Sequence, residues 1–423
     1  MMKKLMKKRI RSMFVMMLAL TMLAGCAADG AQSKISAKQV SAKKLDPGEQ
    51  ICIDYAKPSM QPVQEFAYQL LLCNLNKENP VFSPVSAYTA LCMAANGAKG
   101  KTKKEFQQVL GEDLMCLPDD LMNILPQDKE GITLKAANSV WLDQAFRAKK
   151  QWLTTVTSLF DASVYQTDLD TAAARKEINQ WVKKHTNGMI PKLLEQNLDQ
   201  NTRLSLLNAL YFQAEWDNKF IAQSTVTSDF RLDDGTVKKV PMMQQWLRGC
   251  EYLKDSSCEG VVLPYADSSY AFVAIKPAGQ KNIRTWYQSY SAKKLQNLIA
   301  ERKRMDVDLS LVKFQAKCKE DLVDSLKKMG IVKAFDPKKA DFTLLGTSSQ
   351  GNSLHISSVL QEAVIEVAED GTKASAATVV SMEDGGSVME PVPVAFDRSF
   401  LYMIMDMERE MPVFIGIMDN PEQ

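Results

Sequence analysis

The chain has only two histidines, His185 and His355, so any mechanism that needs an imidazole must use one of them. A serine nucleophile needs such a base and a sharp strand-to-helix elbow that lifts its hydroxyl. No G-x-S-x-G is present, so neither histidine has a matching serine. A zinc site needs clustered His, Cys or acidic ligands. No paired-cysteine spacing occurs, and no metal or cofactor is expected. Gly97-Ala98-Lys99-Gly100-Lys101-Thr102 imitates a phosphate loop, but its glycines stand too close together to wrap phosphates. It reads as a helix end and restart. Ser41-Ala42-Lys43-Lys44 has S-x-x-K spacing but lacks the S-D-N and K-T-G partners of that chemistry. No catalytic residue is assigned, and the chain is not read as an enzyme.

One thiol has a clearer role. Lys3, Lys4, Lys7, Lys8, Arg9 and Arg11 precede an apolar run from Met13 to Leu23, which ends in Leu23-Ala24-Gly25-Cys26. The apolar run is too short to span a bilayer comfortably. Its end resembles the bacterial lipobox, in which the cysteine is lipidated and becomes the mature N-terminus. Residues 1–25 then form a lipoprotein signal peptide. Residues 26–60 are the lipid anchor and a flexible tether, rich in small and polar residues, with a turn at Asp46-Pro47-Gly48. The expected location is exported, lipid-anchored at the cell surface or released outside. The other seven cysteines are spread too thinly for a disulfide framework, and an odd number leaves at least one unpaired. Cys73 and Cys92 sit in apolar helical runs and read as buried small hydrophobes. Cys250 and Cys258 could form a local pair.

The chain has 423 residues, 46% hydrophobic and 24% charged, which allows a large core and excludes a disordered chain. Its net charge of +2 misleads. Without the six basic residues of the leader, 46 basic groups face 50 acidic ones, a net −4. No nucleic-acid partner is expected. The Lys99, Lys101, Lys103 and Lys104 cluster reads as a solvated helix face.

Helical spacing marks Val63–Asn74, Ser86–Ala95 after Ser83-Pro84, Thr102–Leu110, Trp152–Phe160, Ala172–His185, Ala292–Arg302 and Lys319–Met329. Strand signals mark Ile132–Trp141, the apolar run Leu204–Tyr211, several short strands over 226–275, and Val307–Phe314. The last hundred or so residues are strand-rich. Helices and strands interleave with no repeat and no linker, so residues 61–423 read as one α+β domain.

Several segments together resemble the serpin family, from about residue 63 to the C-terminus. They are Asn79-Pro80-Val81-Phe82-Ser83-Pro84-Val85-Ser86, the glycine-lysine stretch 97–102, Ala137-Asn138-Ser139-Val140-Trp141, and Ile178-Asn179-Gln180-Trp181-Val182 with Thr186, Gly188 and Ile190. Asn208-Ala209-Leu210-Tyr211-Phe212 with Trp216 and Phe220, Val240-Pro241-Met242-Met243 and Leu263-Pro264-Tyr265 follow in order. Phe396-Asp397-Arg398-Ser399-Phe400, Phe414-Ile415-Gly416 and Asn420-Pro421 complete the set. The resemblance implies the serpin fold: a large main sheet, smaller sheets, about nine helices and an exposed reactive loop before the final strands. It implies an inhibitor of serine-type endopeptidases, with a non-inhibitory serpin used for binding or chaperoning as the alternative. Three departures stand out. Gln361 occupies the place of a buried histidine that would bond near Ser83, Ser86 and Asn208, where the sheet opens. Val312 replaces a proline, and Gln213-Ala214-Glu215 replaces a lysine-glycine pair.

The loop can also be read physically. Val364-Ile365-Glu366-Val367 is a strand and Glu369-Asp370-Gly371 a turn or hinge. Thr372-Lys373-Ala374-Ser375-Ala376-Ala377-Thr378 is small and nearly featureless. As a strand it would put Thr372, Ala374, Ala376, Thr378 and Val380 on one face and Lys373 on the other. The segment can therefore enter a packed sheet with its charge facing water, as strand insertion requires. The partner implied is a serine protease, with a cysteine protease as the alternative, trapped as a covalent complex by a monomeric suicide substrate. The scissile bond falls at Gly385-Gly386 by counting from Gly371, or at Val388-Met389 by counting back from Phe396. Met382, Val388 and Met389 suit elastase-, chymotrypsin- or subtilisin-like pockets, whereas Glu383 and Asp384 suit an acid-preferring one. No Arg or Lys lies between Val379 and Ala395, which disfavours trypsin-like targets.

Overall fold

A computed structural model describes residues 37–40, 44, 59–117, 121, 127–129, 131–188, 190–348, 354–372 and 390–421. For residues 127–129, 135–137, 208, 209 and 211 it describes the backbone alone. These residues belong to one compact unit, Ala37–Gln423.

Eight helices lie among them: α1 (Gln61–Leu72), α2 (Pro84–Ala95), α3 (Gly100–Leu110), α4 (Lys150–Leu159), α5 (Ala172–His185), α6 (Ile283–Ser289), α7 (Ala292–Ala300) and α8 (Val323–Met329). Ser83 caps α2, its hydroxyl accepting from the Ser86 amide, and Pro84 sits in the first turn, where its missing N–H costs nothing. All twelve residues of α2 are buried. Helix α8 starts at Val323, four residues later than the spacing predicts, because the residues before it pair as a strand.

The main sheet holds β1 (Lys38–Gln39), β3 (Gln127–Lys129), β4 (Ile132–Asp143), β6 (Ser163–Thr167), β7 (Leu204–Glu215), β13 (Phe314–Asp321), β15 (Ser358–Val367) and β16 (Gly371–Thr372). Its order is β1-β6-β4-β7-β15-β13, with β3 on β4 and β16 on β7. The second sheet holds β2 (Val81–Phe82), β8 (Val226–Arg231), β9 (Val237–Lys254), β10 (Cys258–Pro264), β11 (Tyr270–Pro277), β12 (Lys303–Val312), β17 (Val392–Phe396), β18 (Phe400–Asp406) and β19 (Met411–Met418). Its order is β17-β12-β9-β10-β11-β18-β19-β2, with β8 on β9. A two-stranded ribbon joins β5 (Phe146–Ala148) to β14 (Gly346–Ser348).

Every residue of β11, β18 and β19 is buried, in keeping with their largely apolar sequences; the two charged members, Lys276 and Asp406, are paired with Glu259 and Arg409. Helix α2 packs between β7 of the main sheet and β19 of the second. No helix among the described residues is long and apolar enough to cross a membrane, and none of their side chains cluster as a metal site. Cys250 and Cys258 are free, so the local pair does not form. Burial pushes both thiols up to about 12. Cys116, by contrast, is disulfide-bonded.

Candidate functional site

The main sheet has a seam that is only partly closed. Strands β7 and β15 run parallel, and their pairing covers Ser358–Leu360 against Ser205–Leu207 alone. Above that point β15 keeps its partner β13 through Val367, and β7 keeps β4 through Ala214. Among the described residues no backbone pairing joins the two strands along 361–367 and 208–213. Strand amides and carbonyls alternate in direction, so about half of those groups face the seam.

The turn after β15 closes the top of this seam. Ala368 and Gly371 exchange backbone hydrogen bonds of 3.0 and 3.2 Å. Gly371 has φ +143°, and a Cβ there would sit 2.2 Å from the Ala214 carbonyl oxygen, so only glycine fits. Gly371 and Thr372 then pair antiparallel with Glu215 and Ala214. The chain therefore enters the seam from its upper end. Thr372 is 2% exposed, and its hydroxyl meets that of Tyr265 at 2.7 Å.

The segment after β7 holds the turn from outside. The Trp216 indole N–H donates to the Ala368 carbonyl at 2.8 Å and its amide to that of Asp370 at 3.0 Å. The Phe220 amide donates to the Glu369 carbonyl at 2.9 Å. Trp216 also stacks on Tyr265, ring centres 4.8 Å apart. The Glu369 carboxylate accepts from Lys313 Nζ at 2.8 Å and from the Thr225 hydroxyl at 2.9 Å. Burial raises this carboxyl's pKa, but the bonds from Lys313, its own backbone and Thr225 outweigh that and hold it below its ordinary value.

The lower end is fastened differently. Ser205 and Ser358 share a hydroxyl bond of 2.8 Å across the paired stretch. Just above, Gln361 accepts from the Ser83 amide at 3.0 Å and donates to the Ser83 carbonyl at 2.8 Å. Glutamine can do both because its amide carries an acceptor and a donor. This clamps β15 to the cap of α2.

The structure thus brings Gln361 and Ser83 together, and joins Glu369, Asp370, Gly371 and Thr372 to β7 and the segment after it. The Ser86 hydroxyl is buried without a hydrogen-bond partner. Asn208 lies on β7 opposite Asn138, and its side chain is outside the described residues. So are Cys26, the leader, Ala374, Ala376, Ala377, Thr378, Gly385, Gly386, Val388 and Met389. The hinge contacts of Trp216, Phe220, Tyr265, Thr225 and Lys313 are not legible in the sequence. The one local signal was Lys313, a charge between the apolar Val312 and Phe314.

With this geometry in view, the comparisons with known proteins agree on one family. Residues 62–421 match the family described as "Serpin (serine protease inhibitor)". An uncharacterized serpin-like protein of Thermococcus kodakarensis is 31% identical over 86% of each chain. The leukocyte elastase inhibitor of Xenopus laevis is 31% identical over 82% of this chain and 94% of its own. The crystal structure of the thermophilic serpin tengpin in its native state superposes with a TM-score of 0.79 at 31% identity, covering 93% of this chain and 99% of tengpin. The chain belongs to the serpin family and has its α+β fold. Many members inhibit serine proteases by forming complexes with them, and some do not inhibit.

Proposed function

We propose that the protein is a suicide inhibitor of a serine-type endopeptidase, acting by cleavage and insertion of the segment after Thr372. The observation that carries this is the seam with the hinge already paired at its upper end. The antiparallel register of Gly371 on Glu215 and Thr372 on Ala214, carried downward, sets Thr378 opposite Asn208 and Met382 opposite Leu204, the lower end of β7. The inserted strand then covers Lys373–Met382. At about 1 kcal/mol per new backbone bond the driving force is on the order of 10 kcal/mol. The native state is a kinetic trap.

Thr372 faces the interior, so Ala374, Ala376, Thr378, Val380 and Met382 follow it there, and each is small or apolar. Lys373 takes the other face. A cut beyond Met382 frees the whole strand, which both Gly385-Gly386 and Val388-Met389 satisfy. The acyl-enzyme formed on the protease's own serine is carried away with the strand, and the distorted protease cannot deacylate. Met382, Val388 and Met389 favour elastase-, chymotrypsin- or subtilisin-like targets. The inhibitor acts as a monomer and is not itself an enzyme. Cys26 carries the lipid that anchors it outside the cell, and Cys26→Ala abolishes incorporation of labelled palmitate.

The alternative is a serpin used only for binding or chaperoning, without insertion. The test is a denaturing gel of the domain mixed with each of the three protease types. A denaturant-resistant adduct supports the inhibitor, and the mass of the released C-terminal fragment fixes the scissile bond. Clean cleavage without adduct by all three contradicts it.

A further inference from the structure

The lysines at the start of α3 do not stand alone. The loop Asp341–Leu345 is held between two helix starts. The Lys99 amide donates to the Asp341 carbonyl at 2.9 Å, and the Lys149 amide to the Leu345 carbonyl at 2.7 Å. Arg147 pairs with Thr347 in the ribbon that leaves the loop. Lys99 and Lys101 of one helix start therefore gather with Arg147, Lys149 and Lys150 of the other, and Lys338 lies just before the loop. All six are exposed.

None of the six makes an ion pair among the described residues, and the acids beside them are engaged. Glu105 is paired with Lys333, and Asp336 with Lys339. The Asp341 carboxylate accepts from the Thr343 hydroxyl at 2.7 Å. These free cations collect in a chain that, past the leader, has 46 basic against 50 acidic groups. Leu344, within the same loop, is 44% exposed.

Two further observations place the patch. It lies at the lower end of the main sheet. β4 begins at Ile132 opposite Ala214, by the hinge, and reaches Leu142 opposite Leu204 before it turns towards Arg147. The N-terminal chain arrives at this same end. Lys38 of β1 stands opposite Gln166 of β6, and the Gln166 side chain donates to the carbonyls of Gln144 and Phe146, next to Arg147. Cys26 precedes Ala37 by eleven residues (37 minus 26), at most about 40 Å of extended chain.

We propose that this patch docks the domain on an anionic lipid bilayer, a choice of partner that rests on the proposed lipid anchor. A lipid holds the chain at the surface, and a basic patch near its attachment is a second contact that sets the orientation. Each lysine close to an anionic surface is drawn by its potential, within a Debye length. Leu344 supplies the apolar contact that an interfacial site takes and a soluble polyanion does not use. The hinge, at the other end of β4, then points away from the bilayer, where a protease can reach it.

The test is vesicle sedimentation with the chain from Ala27 onward. This keeps the compact unit Ala37–Gln423 whole and lacks the leader and Cys26. Vesicles with about 30% phosphatidylglycerol should bind it about tenfold or more tightly than pure phosphatidylcholine, and about 0.5 M salt should abolish the difference. Lys99→Ala, Lys101→Ala, Lys149→Ala and Lys150→Ala together should weaken binding about thirtyfold or more. The same charge loss at the exposed Lys254, Lys281, Lys293 and Lys303, each changed to Ala, should weaken it less than about threefold. Leu344→Ser should weaken vesicle binding about threefold and leave binding of soluble polyphosphate unchanged. Equal losses in the two fourfold variants, or equal binding to both vesicle types, overturn the site. Tight binding of polyphosphate with no binding to vesicles assigns the patch to an acidic polymer and also overturns it. The assay holds no lipid anchor and no protease, so its failure is distinct from absent palmitate labelling or a missing adduct.

Discussion

The two large sheets solve opposite problems. In the second sheet β11 pairs on both sides without interruption, with β10 over seven residues and with β18 over six. Phe272 sits there among Trp216, Phe314 and Tyr402. In the main sheet β7 is fully paired with β4 on one side, yet joins β15 through three residues on the other. One sheet has used its pairing capacity and the other has kept a strand's worth in reserve. Under the proposed mechanism the second sheet is the rigid one and the seam of the first stores free energy. The contacts at the two ends of that seam are Gln361 on Ser83 below, and Glu369, Trp216 and Thr372 above.

The first way to break this comparison is to make the seam impossible to fill. Thr378→Arg would bury an unpaired charge on the interior face, costing several kcal/mol. Adduct on the gel should fall by more than about tenfold in favour of clean cleavage, while Lys373→Ala, on the other face, should leave the yield unchanged.

The second way is to damage the rigid sheet. Phe272→Ala should cost about 3–5 kcal/mol. Insertion as proposed leaves the pairing of β11 unchanged, so thermal melts of native and nicked protein should fall together. A loss confined to one form would mean that the second sheet also changes.

The clamps come next. Gln361→Leu leaves the buried Ser83 amide without a partner, while the Ser83 carbonyl keeps only the Ala87 amide, which should cost the native form about 1–3 kcal/mol by denaturant unfolding. The cost should be smaller in the nicked form if the clamp matters mainly while the seam is open.

The smallest effect is at the hinge. The Lys313–Glu369 pair is partly exposed, so Lys313→Met should cost at most about 1 kcal/mol. Its pH dependence has a definite sign. The Glu369 carboxyl is held below its unfolded value, so its contribution is present above about pH 4.3 and is lost as pH falls through the folded value. Acid should therefore loosen the wild-type hinge, seen as faster insertion of a synthetic loop peptide. The acid effect should shrink in Lys313→Met.

Much of the fold was legible because it rests on local signals. Ser83-Pro84 announces α2, the apolar run from Leu204 announces β7, and ordered motifs announce the family. The hinge turn was legible from Glu369-Asp370-Gly371 because turn chemistry is local. What holds it was not. Trp216 and Ala368 lie 152 positions apart, and no spacing rule links them. Gln361 was read as a departure at a buried position, and its bond to Ser83 spans 278 positions. The expected helix from Lys319 illustrates the opposite failure. Lys319, Glu320 and Asp321 suit a helix, yet pairing with β15 takes them into β13.

The central claim is that the seam between 208–213 and 361–367 is open in the native chain and is filled after cleavage. Amide hydrogen exchange on native and nicked protein measures this directly. The account predicts fast exchange of about half of those amides in the native form and strong protection after nicking, with β11 and β18 unchanged. Equal exchange in both forms would contradict it.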